Sequence, residues 1–181
     1  MKSVQIERMI ERSARAYGCM LGRFYPGPED CWPAERNITF QLAHTFLAQR
    51  PNGFAFMEVR VKGSEHLDCY LFDDQLGLVV EAKRFLSVKE SRLMGKDAGR
   101  IEKFAGCLDK LHRKQDPSLR PPHIYGLIIA ENWSKQHKRQ HHLHYWDKKR
   151  DFLAKFTTGE QKVYKEDVWT LHWLYAYRKL R

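Results

Sequence analysis

The sequence predicts a mixed α/β domain with a central sheet flanked by helices, and three observations predict it. Three strand-like runs rich in aromatic and β-branched residues, Phe54 to Lys62, His66 to Asp73 and Leu76 to Phe85, follow one another with short breaks. Next come Met94, Ala98, Ile101, Phe104, Ala105, Leu108 and Leu111, whose three- and four-residue steps predict a long amphipathic helix ending before Pro117. His123 to Ala130 (HIYGLIIA) is then a short apolar run of the kind buried in a sheet. With 181 residues the chain can bury one real core and has little room for a second.

The remaining elements fit around that centre. Val4, Ile6, Met9, Ile10 and Ala14 lie near one stripe of a helix over residues 2 to 17, and Gly18 and Gly22 loosen the pattern. Arg23 to Pro33, with Pro26, Gly27, Pro28 and Pro33, reads as a loop leading into a helix from Ala34 to Gln49, which Pro51-Asn52-Gly53 closes. Beyond the apolar run, the basic stretch Ser134 to Lys155 reads as helical. Between Val168 and Arg178, Trp169, Leu171, Trp173, Tyr175 and Tyr177 alternate as in a strand. Trp169, Trp173 and Tyr177 also step by four as in a helix, and the aromatic content favours the strand. The expected organisation is one domain over 1–181, with a core over about 34–130, an N-terminal helical extension (1–33) and a C-terminal basic and aromatic extension (131–181).

Lysine and arginine outnumber aspartate and glutamate by 32 to 22, a net charge of +10 that attracts polyanions, so nucleic acid is the first candidate partner. Charge alone is weak support, since many basic proteins bind nothing in particular. Cys19, Cys31, Cys69 and Cys107 form no CxxC pair and no dense disulfide pattern, which predicts free thiols in a reducing compartment. No run of about 18 apolar residues is present, and the first seventeen residues alternate charge with apolar groups instead of forming a signal-peptide core. A cytoplasmic location is the expectation.

The chemistry concentrates in HLDCYLFDDQLGLVVEAKRF. Glu81 and Lys83, two apart on a strand, share a face, and Leu78, Val80 and Ala82 take the other as a core layer would. If Asp74-Gln75 is a two-residue loop, Asp73 pairs with Leu76 and the count places Asp68 opposite Glu81; a three-residue loop would separate them unless a bulge intervened. Two carboxylates side by side repel, and a hard divalent cation relieves them. An ammonium beside them suits a water-derived nucleophile and charge developing on a phosphate, which points to phosphodiester hydrolysis. The plainer alternative is a surface hairpin with an ordinary cross-strand ion pair from Lys83 to Asp68.

Asp68, a hairpin turn, then Glu81-Ala82-Lys83 after an apolar strand resembles the D…(D/E)xK signature of the PD-(D/E)xK nuclease superfamily. That superfamily's restriction-endonuclease-like core of helix, three antiparallel strands, helix and strand corresponds to the order over residues 34 to 130, about half the chain. Leu67 stands where the family name carries proline. The resemblance implies Mg²⁺ or Mn²⁺ held by Asp68, Glu81 and the Ala82 carbonyl, with Lys83 activating water. It also directs attention to Glu35, because members often add a glutamate from the helix before the first strand. Glu35 shares a stripe with Ile38, Leu42 and Phe46 and is expected to face the sheet; its alternative role is to complement the helix dipole.

Other signals carry less. His137, His141, His142 and His144 are dense, but no nearby ligand set completes a zinc site, and they fit a basic face better. Lys96, Arg100 and Lys103, with Lys110, Arg113 and Lys114, form a basic helix face that fits phosphate contact beside the ExK strand, or simply solvent. The C-terminal aromatic stripe suits core or an oligomer interface more than base stacking. The functional expectation is a metal-dependent nuclease, with DNA as the expected polymer. Its rival is a non-enzymatic nucleic-acid-binding or assembly subunit on a nuclease-like fold.

Overall fold

The computed structural model describes residues 2–24, 35–62, 65–84, 88–135, 153–166 and 168–181. Among them the order is α1 (Lys2–Phe24), α2 (Arg36–Gln49), β1 (Phe54–Lys62), β2 (Glu65–Phe72), β3 (Gly77–Arg84), α3 (Val88–Gln115), β4 (Ile124–Lys135), β5 (Thr157–Glu166) and β6 (Trp169–Lys179). The six strands form one mixed sheet in the order β1-β2-β3-β4-β6-β5. β1, β2 and β3 are antiparallel neighbours, α3 crosses over so that β4 runs parallel to β3, and β6 and β5 extend the sheet antiparallel. A parallel pair needs such a crossover, since a tight turn can join only antiparallel strands.

The sheet separates two cores. On one side α1 and α2 bury Ile6, Ile10, Tyr17, Leu42 and Phe46 against Leu78, Val80, Ala82, Ile129 and Trp173. On the other, Ile101, Phe104 and Leu108 of α3 cover Val79, Ile128 and Leu174. The alternation of β3 is thus the expected one, with Leu78, Val80 and Ala82 together, but its second face is covered as well. Leu111, placed in the apolar stripe by its spacing, is exposed, and its neighbour His112 takes the sheet-facing position against Tyr70 and Phe72.

Two expectations about the extensions are corrected, and one further strand is added. α1 continues through Gly18 and Gly22 to Phe24. A Cβ at Gly18 would lie 2.0 Å from the Val163 carbonyl oxygen, so this glycine lets the helix lie directly on β5. Ser134 and Lys135 do not start a helix; they finish β4, which pairs along its length with β6. The rest of that basic stretch up to residue 152, including His137, His141, His142 and His144, lies outside the described residues. Finally, Thr157–Glu166 is an edge strand that the sequence pattern did not suggest, because its residues are mostly polar and only half-buried. The C-terminal aromatic segment is the expected strand, with Leu171, Trp173 and Tyr177 buried under α1.

No helix among the described residues is long and apolar enough to cross a membrane. Cys19, Cys69 and Cys107 are free thiols, and Cys31 lies outside the described residues.

Candidate active site

The site begins with the β2–β3 turn. Asp73 N–H donates to the Leu76 carbonyl, and Asp73 Oδ1 accepts from the backbone N–H groups of Gln75 and Leu76 at 2.8 and 2.7 Å. Asp74 and Gln75 are therefore the two loop residues, held by an aspartate turn that Arg50 of the α2–β1 connection clamps from outside. The register follows as expected: Phe72 faces Gly77, Leu71 faces Leu78, Tyr70 faces Val79 and Cys69 faces Val80. One step further puts Asp68 level with Glu81.

At that step the strands part. The β2–β3 ladder ends at Cys69–Val80, and the β1–β2 ladder passes from Met57–Cys69 to Val59–Leu67 without a Glu58–Asp68 pair. Glu58 has φ 51, the left-handed region that a side chain other than glycine's rarely adopts. Leu67 packs in the α3 core while Cys69, two residues on, packs in the opposite one, so the faces of β2 exchange at Asp68. The Asp68 carboxylate takes the place of a ladder acceptor: Ala82 N–H donates to its Oδ2 at 2.8 Å. Simple strand alternation foresaw the level of Asp68 but not this inversion.

Glu81 points to the α3 side and is completely buried. Neither of its oxygens accepts a hydrogen bond from the described residues. Its charge partners are Arg100, 3.3 Å away, and Lys83 Nζ, 3.9 Å away. Asp97 of α3 closes the ring, 3.8 Å from Lys83 Nζ and 3.1 Å from Arg100. Burial pushes Glu81 up to about 8; Asp68 and Asp97 push the same way, while Arg100 and Lys83 oppose them. Burial also raises Asp97, against the pull of Lys83 and Arg100. The Cys69 thiol is raised by burial as well, with neighbouring Asp68 adding to it, to about 12, which favours the protonated sulfur. Lys83 and Arg100 are the solvent-facing members of the ring, 21% and 33% exposed.

On the α2 side, a cleft of about 620 Å³ reaches Asp68 and Ala82 and is bounded by Glu35, Phe40, Met57 and Glu58. Glu35 is the residue just before the first turn of α2, and its Oε1 accepts from Arg84 N–H at 2.6 Å. It thus reaches the sheet, as its position on the helix stripe suggested, and it lines the same cleft as Asp68.

The α3 basic residues divide. Lys96 is exposed. Lys103 pairs with Glu65 at 2.5 Å. Arg100 does not stand out in solvent: it donates to the His66 carbonyl at 2.5 Å, pairs with Glu81 and Asp97, and lies over the Phe104 ring. Asp97 is the residue that sequence reasoning missed. Its position four before Ile101 and seven before Phe104 puts it on the buried stripe of α3, and an acid there was the available signal.

The donor set suits a hard divalent cation, which is content with one or two carboxylates, a carbonyl and waters. Asp68 and Glu81 are the carboxylates that could serve such a cation, and the charge of Asp68 already acts on Glu81. Among the described residues no three His, Cys, Asp or Glu side chains already converge as a ligand cage.

No family model matches the chain, and neither a curated protein nor a solved structure does.

Proposed function

We propose that this chain is a metal-dependent nuclease that hydrolyses phosphodiester bonds in nucleic acid, with DNA as the expected polymer, on a core of the restriction-endonuclease kind. The observation that carries the proposal is the parting of β2 and β3 at Asp68, which brings that carboxylate, buried Glu81 and the Lys83 ammonium to one end of the sheet. An ordinary surface ion pair does not account for it: Glu81 is fully buried, and its own pair with Lys83 is long. Burying a carboxylate among other carboxylates costs stability, and such an arrangement is retained where chemistry uses it.

In this reading Asp68, Glu81 and the Ala82 carbonyl hold Mg²⁺ or Mn²⁺, with Glu35 auxiliary at the cleft. The cation, when bound, supplies Lewis-acid stabilisation of the phosphate and lowers the pKa of attacking water. Lys83 is placed to hold that water and to balance charge as the phosphate becomes more negative. Asp97 acts through Lys83 as a positioning residue, fixing the ammonium from the α3 side. Arg100 neutralises Glu81 in the protein alone, and its planar fork suits a phosphate oxygen pair. Lys96 and Lys103 belong to the surrounding positive field, and the surplus of basic over acidic residues favours a polyanion.

The test is a panel of labelled linear, circular, single-stranded and duplex substrates with Mg²⁺, Mn²⁺ or chelator, run beside Glu81→Gln. Metal-dependent cleavage lost in the variant is the expected result. Salt-sensitive binding without cleavage under any metal would favour the non-enzymatic binding or assembly subunit instead.

A further inference from the structure

Without a cation, the walls of the cleft on the α2 side do not suit a phosphate. Glu35, Glu58 and Asp68 bring negative charge to it, and among the described lining residues Arg36, which pairs with Glu58 at 2.7 Å, is the counter-charge. Asn37 and Thr39 add polar groups, and the apolar part of the wall is unusually open to solvent: Phe40 is 59% exposed and Met57 is 41% exposed. Phe40 also stacks with His44 one turn along α2, with ring centroids 6.4 Å apart and planes at 20°, which steadies the Phe40 ring at the cleft wall. At about 620 Å³ the space falls within the range of small-molecule sites, roughly 300–1,000 Å³.

A nucleotide has one part that such walls repel and one that they accept. In the metal-free protein the carboxylates keep the phosphodiester out of the interior, and a cation at Asp68 would meet it only at the rim; an uncharged base stacks on an aromatic face, and a ring N–H or exocyclic amino group on its pairing edge can donate to a carboxylate. A base still paired within a duplex presents neither its face nor its pairing edge, so entry requires an unpaired nucleotide.

We propose that this cleft takes an unpaired nucleobase, stacked on Phe40 and flanked by Met57, while the adjoining phosphodiester stays at the rim beside Asp68. The identity of the ligand as nucleic acid rests on the nuclease reading above. The substrate class is then single-stranded segments, including frayed ends and flaps.

The experiment uses the full chain in chelator, so that nothing is cleaved, and measures binding by anisotropy to three probes of equal length: oligo-dT, an abasic oligomer with the same phosphates, and a blunt duplex. The wild type is expected to bind oligo-dT about tenfold or more tighter than the abasic oligomer, as stacking of one base provides. Phe40→Ala should lose most of that preference while keeping its melting temperature, because the ring is mostly in solvent. Phe40→Trp should keep the preference, and its added fluorescence should respond to oligo-dT and not to the abasic oligomer. Equal affinity for oligo-dT and the abasic oligomer, a preference unchanged in Phe40→Ala, or tighter binding of blunt duplex than of oligo-dT would each overturn the proposal. Cleavage by the wild type with Mn²⁺ and its loss in Glu81→Gln are scored separately. Base preference without cleavage therefore leaves the cleft assignment standing and removes the nuclease reading, and cleavage without base preference does the reverse.

Discussion

Two glutamates are completely buried in this sheet, one on each face, and the same cause, burial, pushes both up to about 8. Around Glu81 stand Asp68, Asp97, Lys83 and Arg100, all but Asp97 partly open to solvent. Around Glu131 stand the Tyr17 hydroxyl and Arg84 across the parallel ladder, which oppose the upward push of burial, and Glu35, which adds to it. Its face is closed by the apolar packing of α1 and α2. The contrast teaches that a perturbed carboxyl does not make a site. What separates the two is a second and third acid within reach, and cationic side chains that are partly open to solvent.

Activity should divide the two glutamates most sharply. Glu81→Gln should lower Mn²⁺-dependent cleavage by about 10²–10³-fold or more, as loss of a preorganised charge does, whereas Glu131→Gln should stay within a few-fold of the wild type. Equal losses in a steady-state cleavage assay would erase the distinction. Lys83→Ala should cost roughly 10²–10⁴-fold, the range for a lost proton-handling group. Asp97→Asn should shift the pH optimum as well as the rate, which a merely structural role would not do.

Metal should sharpen the comparison next. Mn²⁺ at about 100 times its Kd would add about 2.7 kcal/mol to wild-type stability, which scanning fluorimetry would read as a rise of several degrees in Tm. Asp68→Asn and Glu81→Gln should lose that rise, while Lys83→Ala and Glu131→Gln keep it. Without metal, Asp68→Asn should be as stable as the wild type or slightly more so, because it removes one of the acids crowding Glu81. A surface ion pair predicts modest destabilisation and no response to metal.

A smaller effect concerns pH. Each glutamate binds its proton more tightly folded than unfolded, 4.5 being the ordinary value and about 8 the folded one. Their contribution is therefore fully present below pH 4.5 and is lost as pH rises through about 8. Urea midpoints of the metal-free protein should decline across that window. Glu131→Gln and Glu81→Gln should each flatten the decline, and only the Glu81 part should respond to Mn²⁺. The smallest expected change is in salt dependence: Lys96→Ala should reduce the slope of log affinity against log salt by about one. Arg100→Ala should instead act through the bereft Glu81, visible as a changed pH profile.

Much of this was legible in the chain because the strand period leaves little choice. Val79 to Lys83 alternates cleanly, and a loop of two residues fixes the level of Asp68 by counting. Asp97 escaped notice because its neighbours Lys96, Arg100 and Lys103 made the helix look like a solvated face. Its step of four to Ile101 and seven to Phe104 does put it on the buried stripe, but an acid among those bases is easily read as part of the solvated face. β5 escaped for a related reason: Thr157–Glu166 is a sheet edge, and an edge strand needs few apolar residues. The exchange of faces at Asp68 has no sequence mark that we recognise beyond the charge of Glu58 itself.

The Asp73 turn has a consequence for how such a chain can vary through descent. Exposed loop tips ordinarily absorb insertions and deletions with little harm. At Asp74-Gln75 the same event would turn β3 over relative to β2, carrying Glu81 toward the α1 and α2 core and Val80 toward the ring of charges. Substitutions at these two exposed positions should pass freely, while a change in their number should be purged. Length, more than identity, is the inherited quantity at this corner of the molecule.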